Sequence, residues 1–146
     1  MNIRLMTEND RAAVLLMMRT FYNSPAVATN GSEEIYNNDI DACVNSSSYA
    51  EGYVFAEGNE IQGYAMLAKS FSTEYGKMCI WIEDLYIKPQ YRKRGIGREF
   101  FEYIGEKYSD CILRLEAEED NETAVELYKK SGFSVVPYLE MWKIGE

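Results

Sequence analysis

The stretch that decides the fold is DLYIKPQYRKRGIGREFFEYI, residues 84–104. An apolar run leads into Pro89, which indicates the end of a strand because proline cannot donate a hydrogen bond to a β-ladder. Cations and two glycines follow, and from Ile96 to Tyr108 apolar residues recur every four positions, as in an amphipathic helix. The stretch therefore predicts a strand, a tight turn and a helix, with the cations gathered at the helix N-terminus.

This turn is predicted to bind an anion. A helix N-terminus presents unpaired N–H groups and the positive end of the helix dipole. Glycines at 95 and 97 would let an anion approach the backbone closely. The turn lacks both the GxxxxGK[ST] pattern of a Walker loop and the three spaced glycines of a dinucleotide fingerprint. A solvated basic turn that only caps the helix is the alternative interpretation of these residues taken alone.

The whole chain is acidic, which makes this local cluster of cations unusual. Its 146 residues include 15 Lys plus Arg and 24 Asp plus Glu, a net charge of -9. Nucleic acids and anionic membrane surfaces bind broad basic faces, so we expect neither as a partner. The N-terminal residues do not resemble a signal peptide, and no run approaches the roughly 20 apolar residues that cross a bilayer. A cytoplasmic protein is expected.

The chain contains three cysteines and no histidine. Without histidine, neither a Ser-His-Asp nor a Cys-His catalytic arrangement is possible, and His ligation of a metal is excluded. Acid–base chemistry must therefore use Asp, Glu, Tyr, Lys or Cys. The cysteines, Cys43, Cys79 and Cys111, are widely spaced, so we expect them to be reduced and expect no metal site.

Hydrophobic patterning predicts a single domain covering residues 1–146, a length that suits one core. The predicted order is β-α-α-β-β-β-α-β-α-β-β, which is an α/β or α+β fold with a mixed sheet. Ser32 is expected to begin the second helix, and Asn121 and Gly132 to mark the ends of the last one. The stretch FSVVPYLEMWKIG is predicted to form the two closing strands.

Two motifs together resemble the GCN5-related N-acetyltransferase (GNAT) family. In that family, (Arg/Gln)-x-x-Gly-x-(Gly/Ala) follows a strand ending in Leu-x-Val-x-Pro, and this chain matches at Leu85, Ile87, Pro89, Arg92, Gly95 and Gly97. The stretch DNETAVELYKKSGF is similar to the family's Asn-x-x-Ala-x-x-x-Tyr-x-x-x-Gly-Phe, with matches at Asn121, Ala124, Tyr128, Gly132 and Phe133. The resemblance implies the GNAT fold, a mostly antiparallel mixed sheet of about seven strands with four helices, in which the fourth and fifth strands splay apart.

The resemblance also implies that the anion is the pyrophosphate of coenzyme A, with acetyl-CoA as the acetyl donor. Backbone amides from about Arg92 to Arg98 would hold the pyrophosphate, the strand edge near Leu85 and Ile87 would pair with the pantetheine arm, and Asn121 would help to hold that arm. The implied cofactor-binding residues are Leu85, Tyr86, Ile87, Arg92, Lys93, Arg94, Gly95, Ile96, Gly97, Arg98, Asn121 and Tyr128.

The implied chemistry needs an acid, a base and donors for the developing oxyanion. The family position implies Tyr128 as the acid that protonates the leaving thiolate. Glu83 is a base candidate working through water, as in the similar polyamine acetyltransferases, and Glu116 is the rival, at the spacing from Tyr128 seen in ribosomal-protein N-terminal acetyltransferases. We favour Glu83. By strand alternation only one of Glu83 and Asp84 can face the cleft, unless a β-bulge intervenes.

The resulting prediction is an acetyl-CoA-dependent N-acetyltransferase that acts by direct transfer in a ternary complex. The expected acceptor is a primary amine of a small cationic metabolite, bound by Phe21, Tyr22, Glu83 and Asp84, with residues 21–27 as part of the wall. A protein N-terminal or lysine acetyltransferase, and a non-catalytic acyl-CoA sensor, are the alternatives. A homodimer that pairs through YLEMWKI is expected as well.

Overall fold

The computed structural model describes residues 1–24, 31–45 and 47–145, and within them five strands form one sheet in the order β1-β2-β3-β4-β5. The strands are β1 (Asn2–Leu5), β2 (Ala50–Glu57), β3 (Glu60–Ser72), β4 (Lys77–Ile87) and β5 (Ile112–Leu115). The helices are α1 (Arg11–Tyr22), α2 (Glu33–Val44), α3 (Ile96–Lys107) and α4 (Glu122–Lys130). The predicted order is confirmed from the first strand to the fourth helix.

The two N-terminal helices begin at polar caps. The Asp10 carboxylate, which is buried, accepts a hydrogen bond from the Thr7 amide at 2.8 Å just before α1. The guanidinium of Arg4 on β1 donates to both oxygens of Asp10 at 2.9 Å. At α2, the Ser32 hydroxyl accepts from the Ile35 amide at 3.2 Å, as predicted. The Ser32 cap satisfies one N–H group at the start of α2, and the Arg4–Asp10 pair ties the start of α1 to the sheet.

The sheet changes from antiparallel to parallel at its last strand. β1 to β4 pair antiparallel as neighbours, and α3 then crosses over so that β5 runs parallel to β4. The β4–β5 ladder has four residue pairs, from Cys79↔Ile112 to Ile82↔Leu115. β4 continues to Ile87 with no strand on that side within the described residues. The predicted splay between the fourth and fifth strands is confirmed.

Each face of the sheet carries its own core. α1 and α2 cover one face, where Val14, Met18, Ile40, Val54 and Tyr64 are among the buried side chains. α3 and α4 cover the other face, where Phe55, Leu67, Ile80, Phe100 and Ile104 are among them. The sheet is therefore the middle of three layers, and the gap between β4 and β5 opens between the two helical layers.

The two closing strands predicted after α4 are wrong for the described residues, so the sheet has five strands rather than about seven. Residues 134–145 have the composition of strands, but a strand forms only where a partner satisfies its backbone. None of the backbone hydrogen bonds found outside regular elements in the described chain involves this segment. Pro137 removes one donor in its middle. Its apolar side chains consequently remain in solvent.

Candidate active site

The turn between β4 and α3 has the form of an anion cradle. Gly95 adopts a left-handed conformation with φ of 83°, which bends the chain into the helix. The first backbone hydrogen bond of α3 runs from the Glu99 amide to the Gly95 carbonyl at 2.9 Å. Helix geometry thus leaves the amides of Ile96, Gly97 and Arg98 without an intrahelical acceptor, as an anion site requires.

Exposed cations surround this turn. The Arg92 guanidinium donates to the Ile87 carbonyl at 2.8 Å and lies 5.5 Å from the Tyr86 ring centroid, so it is held beside the end of β4. Arg94 stacks on Tyr91 at the same distance. Arg92, Lys93, Arg94 and Arg98 are all exposed. A phosphate group fits this arrangement of free amides and cations.

Gly97 allows α3 to pack closely against its neighbours. A Cβ at this position would lie 3.1 Å from Leu127 Cδ2 on α4 and 3.6 Å from Ile87 Cδ1 on β4. The glycine therefore keeps the cradle, α4 and the free edge of β4 together. Leu85 and Ile87 lie on that edge and pack toward α3 and α4.

Asn121 has a structural contact in addition to its predicted role. Its side-chain oxygen accepts from the Ala124 amide at 3.4 Å and caps α4. The cap fixes the start of the helix that carries Tyr128. A contact between Asn121 and the pantetheine arm stays a prediction.

Tyr128 lies on α4 in an aromatic setting. Its ring packs edge-on against Phe101, with centroids 5.8 Å apart, and against Phe133 at 6.4 Å. Burial raises the pKa of its hydroxyl above the ordinary value, which already leaves a tyrosine protonated at neutral pH. A protonated hydroxyl is what a general acid needs.

β4 contains a β-bulge at Glu83 and Asp84. Without a bulge, neighbouring residues of a strand face opposite sides of the sheet, so only one of these two carboxylates could face the cleft. Met66 of β3 pairs with Asp84, but its neighbour Leu67 pairs with Ile82, so Glu83 is the extra residue. Asp84 points toward α1 and α2, and the charge of Glu83 acts on Tyr22 of α1 as well. The bulge therefore lets both side chains lie on one side of the sheet.

Asp84 is a buried carboxylate, with 4 % of its surface exposed. It accepts hydrogen bonds from the hydroxyls of Tyr22 at 2.8 Å and Tyr64 at 2.7 Å. Burial raises the pKa of Asp84, and the two hydroxyls partly oppose that change. Burial and the charge of Asp84 in turn raise the pKa values of both tyrosines.

Asp39 of α2 forms an acidic group with Glu83 and Asp84, although the sequence analysis did not predict it. Burial, followed by the charges of Asp84 and Glu83, raises its pKa to about 6. It is one of many acidic residues in the chain and matches neither motif, so only its place on the folded helix reveals it.

Glu116 follows β5, where the splayed strands separate. A hydrogen bond with the Glu140 carboxyl, then partial burial and the charges of Glu140 and Glu83, raise the pKa of Glu116 to about 7. Glu140, which the sequence analysis also missed, reaches this position from the segment after α4. Glu83, Glu116 and Glu140 thus form one electrostatic group, in which burial, followed by the charges of Asp84 and Glu140, raises the pKa of Glu83.

Aromatic side chains line the α1 side of the acidic group. Phe21 packs 5.3 Å from Tyr22 and 5.6 Å from Tyr86, measured between ring centroids. Tyr22 also stacks against Tyr36 of α2 at 5.4 Å. Residues 25–27 of the predicted acceptor wall lie outside the described residues.

A substitution tests the buried carboxylate. We expect Tyr64→Phe to lower the free energy of unfolding by about 1–3 kcal/mol at neutral pH, because Asp84 loses a donor while buried and charged. The variant raises the folded-state pKa of Asp84 further, so the loss should shrink as the pH falls and Asp84 becomes protonated. Urea unfolding at neutral and mildly acidic pH measures this. A loss of the same size in an Asp84→Asn background would contradict it.

The family model described as the Acetyltransferase (GNAT) family matches residues 15–133. The chain belongs to the GNAT acetyltransferase family. The predicted family is therefore confirmed, and GNAT acetyltransferases take their acetyl group from acetyl-CoA. The match includes the cradle, the bulged strand and Tyr128.

Among the relatives of this GNAT chain is the thialysine N-epsilon-acetyltransferase of Bos taurus, 36% identical over 89 residues, or 59% of this chain and 52% of the relative. The chain thus spans about half the length of the curated relative. A possible acetyltransferase from Clostridium difficile 630 superimposes with a TM-score of 0.83 at 17% identity, covering 99% of this chain and 98% of that one.

An aminoglycoside N-acetyltransferase, AAC(6')-Iy, solved in complex with CoA, has a TM-score of 0.80 at 10% identity, covering 98% of this chain and 93% of that one. These two structural likenesses establish the shared fold. No helix in the described ranges is long and apolar enough to cross a bilayer.

Proposed function

We propose that this protein transfers an acetyl group from acetyl-CoA to a primary amine of a small cationic molecule, directly within a ternary complex. The observation that carries the proposal is the buried carboxylate of Asp84 on the part of β4 that extends beyond its pairing with β5. The charges of Glu83, Asp39 and Glu116 act on one another around it. Like charges gathered in a partly buried site favour a cation as the missing partner.

The cradle residues support the donor half of this proposal. Coenzyme A would present the acetyl group when bound. The amides of residues 96–98 and the cations at 92–94 and 98 would hold its phosphates, and the free edge of β4 near Leu85 would align the pantetheine arm. Tyr128, with its raised pKa, would hold a proton for the thiolate that leaves.

The carboxylates support the acceptor half. Asp84 keeps its carboxylate buried with two tyrosine hydroxyls as donors, and an ammonium group brought near it would lower the pKa values of Asp84 and Asp39. The reacting amine itself must be neutral, although an alkylamine is mostly protonated at neutral pH, so a base is needed. An acceptor with a second cationic group would place that charge near the carboxylates while its reacting amine is neutral.

Names of related proteins are consistent with an amine acceptor. The bovine relative is named for acetylation of the ε-nitrogen of thialysine, and the structural neighbour for N-acetylation of aminoglycosides. We also propose that the protein acts in the cytoplasm as a homodimer.

Acetyl-CoA-dependent thiol release tests the proposal. The panel contains spermidine, putrescine, lysine analogues, aminoglycosides and peptides with free N-termini, with neutral primary amines as matched controls. Turnover of cationic small amines well above that of neutral ones supports it. Turnover of peptides alone would instead indicate a protein acetyltransferase. Saturable binding of acetyl-CoA without release from any acceptor would indicate an acyl-CoA sensor.

The pH profile of kcat/KM identifies the base. We expect Glu83→Gln to lower activity by about 10²-fold or more, as loss of a general base does, and Glu116→Gln to have a smaller effect. If Glu116 were the base, activity would fall as the pH drops through its pKa of about 7, because the base acts in its ionised form. If Glu116→Gln abolished this fall in activity at low pH while Glu83→Gln remained active, Glu116 and not Glu83 would be the base.

A further inference from the structure

The hydroxyl of Tyr22 has a fixed direction of hydrogen bonding. It donates its proton to Oδ1 of Asp84 at 2.8 Å, while the Tyr64 hydroxyl donates to Oδ2 at 2.7 Å. An ionised carboxylate can only accept hydrogen bonds, so neither tyrosine can reverse this direction. The oxygens of both tyrosines therefore have only their lone pairs left for another partner.

Of these two tyrosines, Tyr22 is the one that a ligand can reach. Tyr64 is fully buried, and Asp84 itself is almost fully buried. Tyr22 lies at the C-terminal end of α1 and is only partly buried. Among the described residues, none donates a hydrogen bond to the Tyr22 oxygen. Tyr22 therefore connects the buried Asp84 carboxylate with the accessible part of the acceptor side.

Aromatic neighbours hold the Tyr22 ring in place. Its centroid lies 5.3 Å from that of Phe21, with the two planes at 70°, and 5.4 Å from that of Tyr36 on α2. A tyrosine has few rotatable bonds, so packing of this kind fixes the position of its hydroxyl. The oxygen is thus pre-organised, in both position and hydrogen-bond direction, before a ligand binds.

Asp39 supplies a negative charge on the same side of the site. Its carboxylate is partly buried, and its charge acts on Tyr22. Among the described residues, Asp39 has neither a hydrogen-bond donor nor a cation as a partner. A carboxylate in such surroundings is stabilised by a ligand cation. Asp39 would attract any cation, whereas the Tyr22 oxygen can bind only a group that donates a hydrogen.

We propose that Tyr22 selects acceptors whose second cationic group carries an N–H bond, and that Asp84 is the positioning residue that makes the Tyr22 oxygen a hydrogen-bond acceptor. A protonated amine donates to this oxygen, whereas a quaternary ammonium of equal charge cannot. A site built for a hydrogen bond rejects an analogue that lacks it more strongly than charge alone would. The inference rests on the proposed function and names the substrate class of that same site.

A series of three acceptors that differ in methylation tests this inference. Putrescine and its derivatives with two or three methyl groups on one nitrogen all keep a free primary amine and a second, positively charged nitrogen. We expect the wild type to have a kcat/KM for the trimethyl compound about 10- to 100-fold below that for putrescine, the effect of a lost hydrogen bond to a charged group. The dimethyl compound retains one N–H and is nearly as large, so it should be used almost as well as putrescine.

Three variants assign the preference to the Tyr22 hydroxyl. Tyr22→Phe should use the dimethyl and trimethyl compounds about equally, because it has no oxygen to accept the N–H. Tyr64→Phe is the matched control, since it removes the same kind of bond to Asp84 from a buried side chain, and it should keep the preference. Asp84→Asn should weaken the preference, because a carboxamide has only one acceptor oxygen for the two hydroxyls.

The ratio of kcat/KM values for the dimethyl and trimethyl compounds decides the outcome, because a folding defect would lower both values together. Equal use of the two by the wild type, or an unchanged ratio in Tyr22→Phe, would overturn the inference while acetyl transfer to amines remains. Preference of the wild type for a panel amine without a second N–H-bearing cation would overturn it as well. A wild type that acetylates no cationic amine of the panel would instead overturn the proposed function, and this inference with it.

Discussion

Tyr128→Phe is expected to lower kcat by about 10²–10⁴-fold, the range that loss of a general acid produces. The substitution removes only the hydroxyl, so the edge-on packing of the ring against Phe101 and Phe133 should persist. Coenzyme A affinity and thermal stability should therefore change little. Steady-state kinetics with the best amine acceptor of the panel measure the effect.

Tyr103→Phe is the matched control for this experiment. Tyr103 lies on α3 and is exposed, and its ring packs edge-on against Tyr53 of β2 with centroids 5.6 Å apart. Its loss of a hydroxyl should leave kcat unchanged. If Tyr128→Phe and Tyr103→Phe had equal kcat values, Tyr128 would be a packing residue and the thiolate would be protonated by another group.

Gly97→Val should weaken coenzyme A binding by about 10- to 100-fold. The new side chain meets Leu127 and Ile87, which already lie within 3.1 and 3.6 Å of the first added carbon. Overpacking of this kind costs about 1–3 kcal/mol, and here it displaces the first turn of α3, whose amides form the cradle. Titration calorimetry with coenzyme A, together with thermal unfolding, measures both effects.

Gly105→Val provides the comparison within the same helix. No atom lies within 4 Å of a Cβ at Gly105, so the substitution should leave both the fold and coenzyme A affinity close to the wild type. Valine also has a higher helix propensity than glycine. Wild-type coenzyme A affinity in Gly97→Val would show that the cradle does not depend on the close packing of α3 against α4.

The cradle was predictable because its parts are contiguous in the chain. A strand that ends at a proline, a short glycine-containing turn and an amphipathic helix must lie next to each other, whatever the rest of the fold does. The same holds for α4, whose cap at Asn121 and whose Tyr128 belong to one local pattern. The family resemblance then related these two segments to one cofactor.

The acceptor side was less predictable, because it is assembled from distant segments. The bulge that lets Glu83 and Asp84 face the same side is a shift in the pairing register between β3 and β4. The sequence of either strand alone does not predict it. Asp39 comes from α2, and Glu140 from the segment after α4. Burial, and then the charges of Asp84 and Glu83, raise the pKa of Asp39 to about 6, and a hydrogen bond with Glu140, followed by burial, raises the pKa of Glu116 to about 7.

The segment after α4 shows the same difference between what neighbouring residues determine and what distant contacts determine. Residues 134–145 include β-branched and aromatic side chains, which are typical of strands. This local propensity led to the wrong prediction of two further strands. A strand needs a partner's backbone as well as its own residues, and within the described chain the segment has no ladder. Helices, turns and caps depend on neighbours in sequence, so the amino-acid order specified them. Bulges, edge pairing and clusters of charge depend on contacts between remote segments, so they became visible only after the chain had folded.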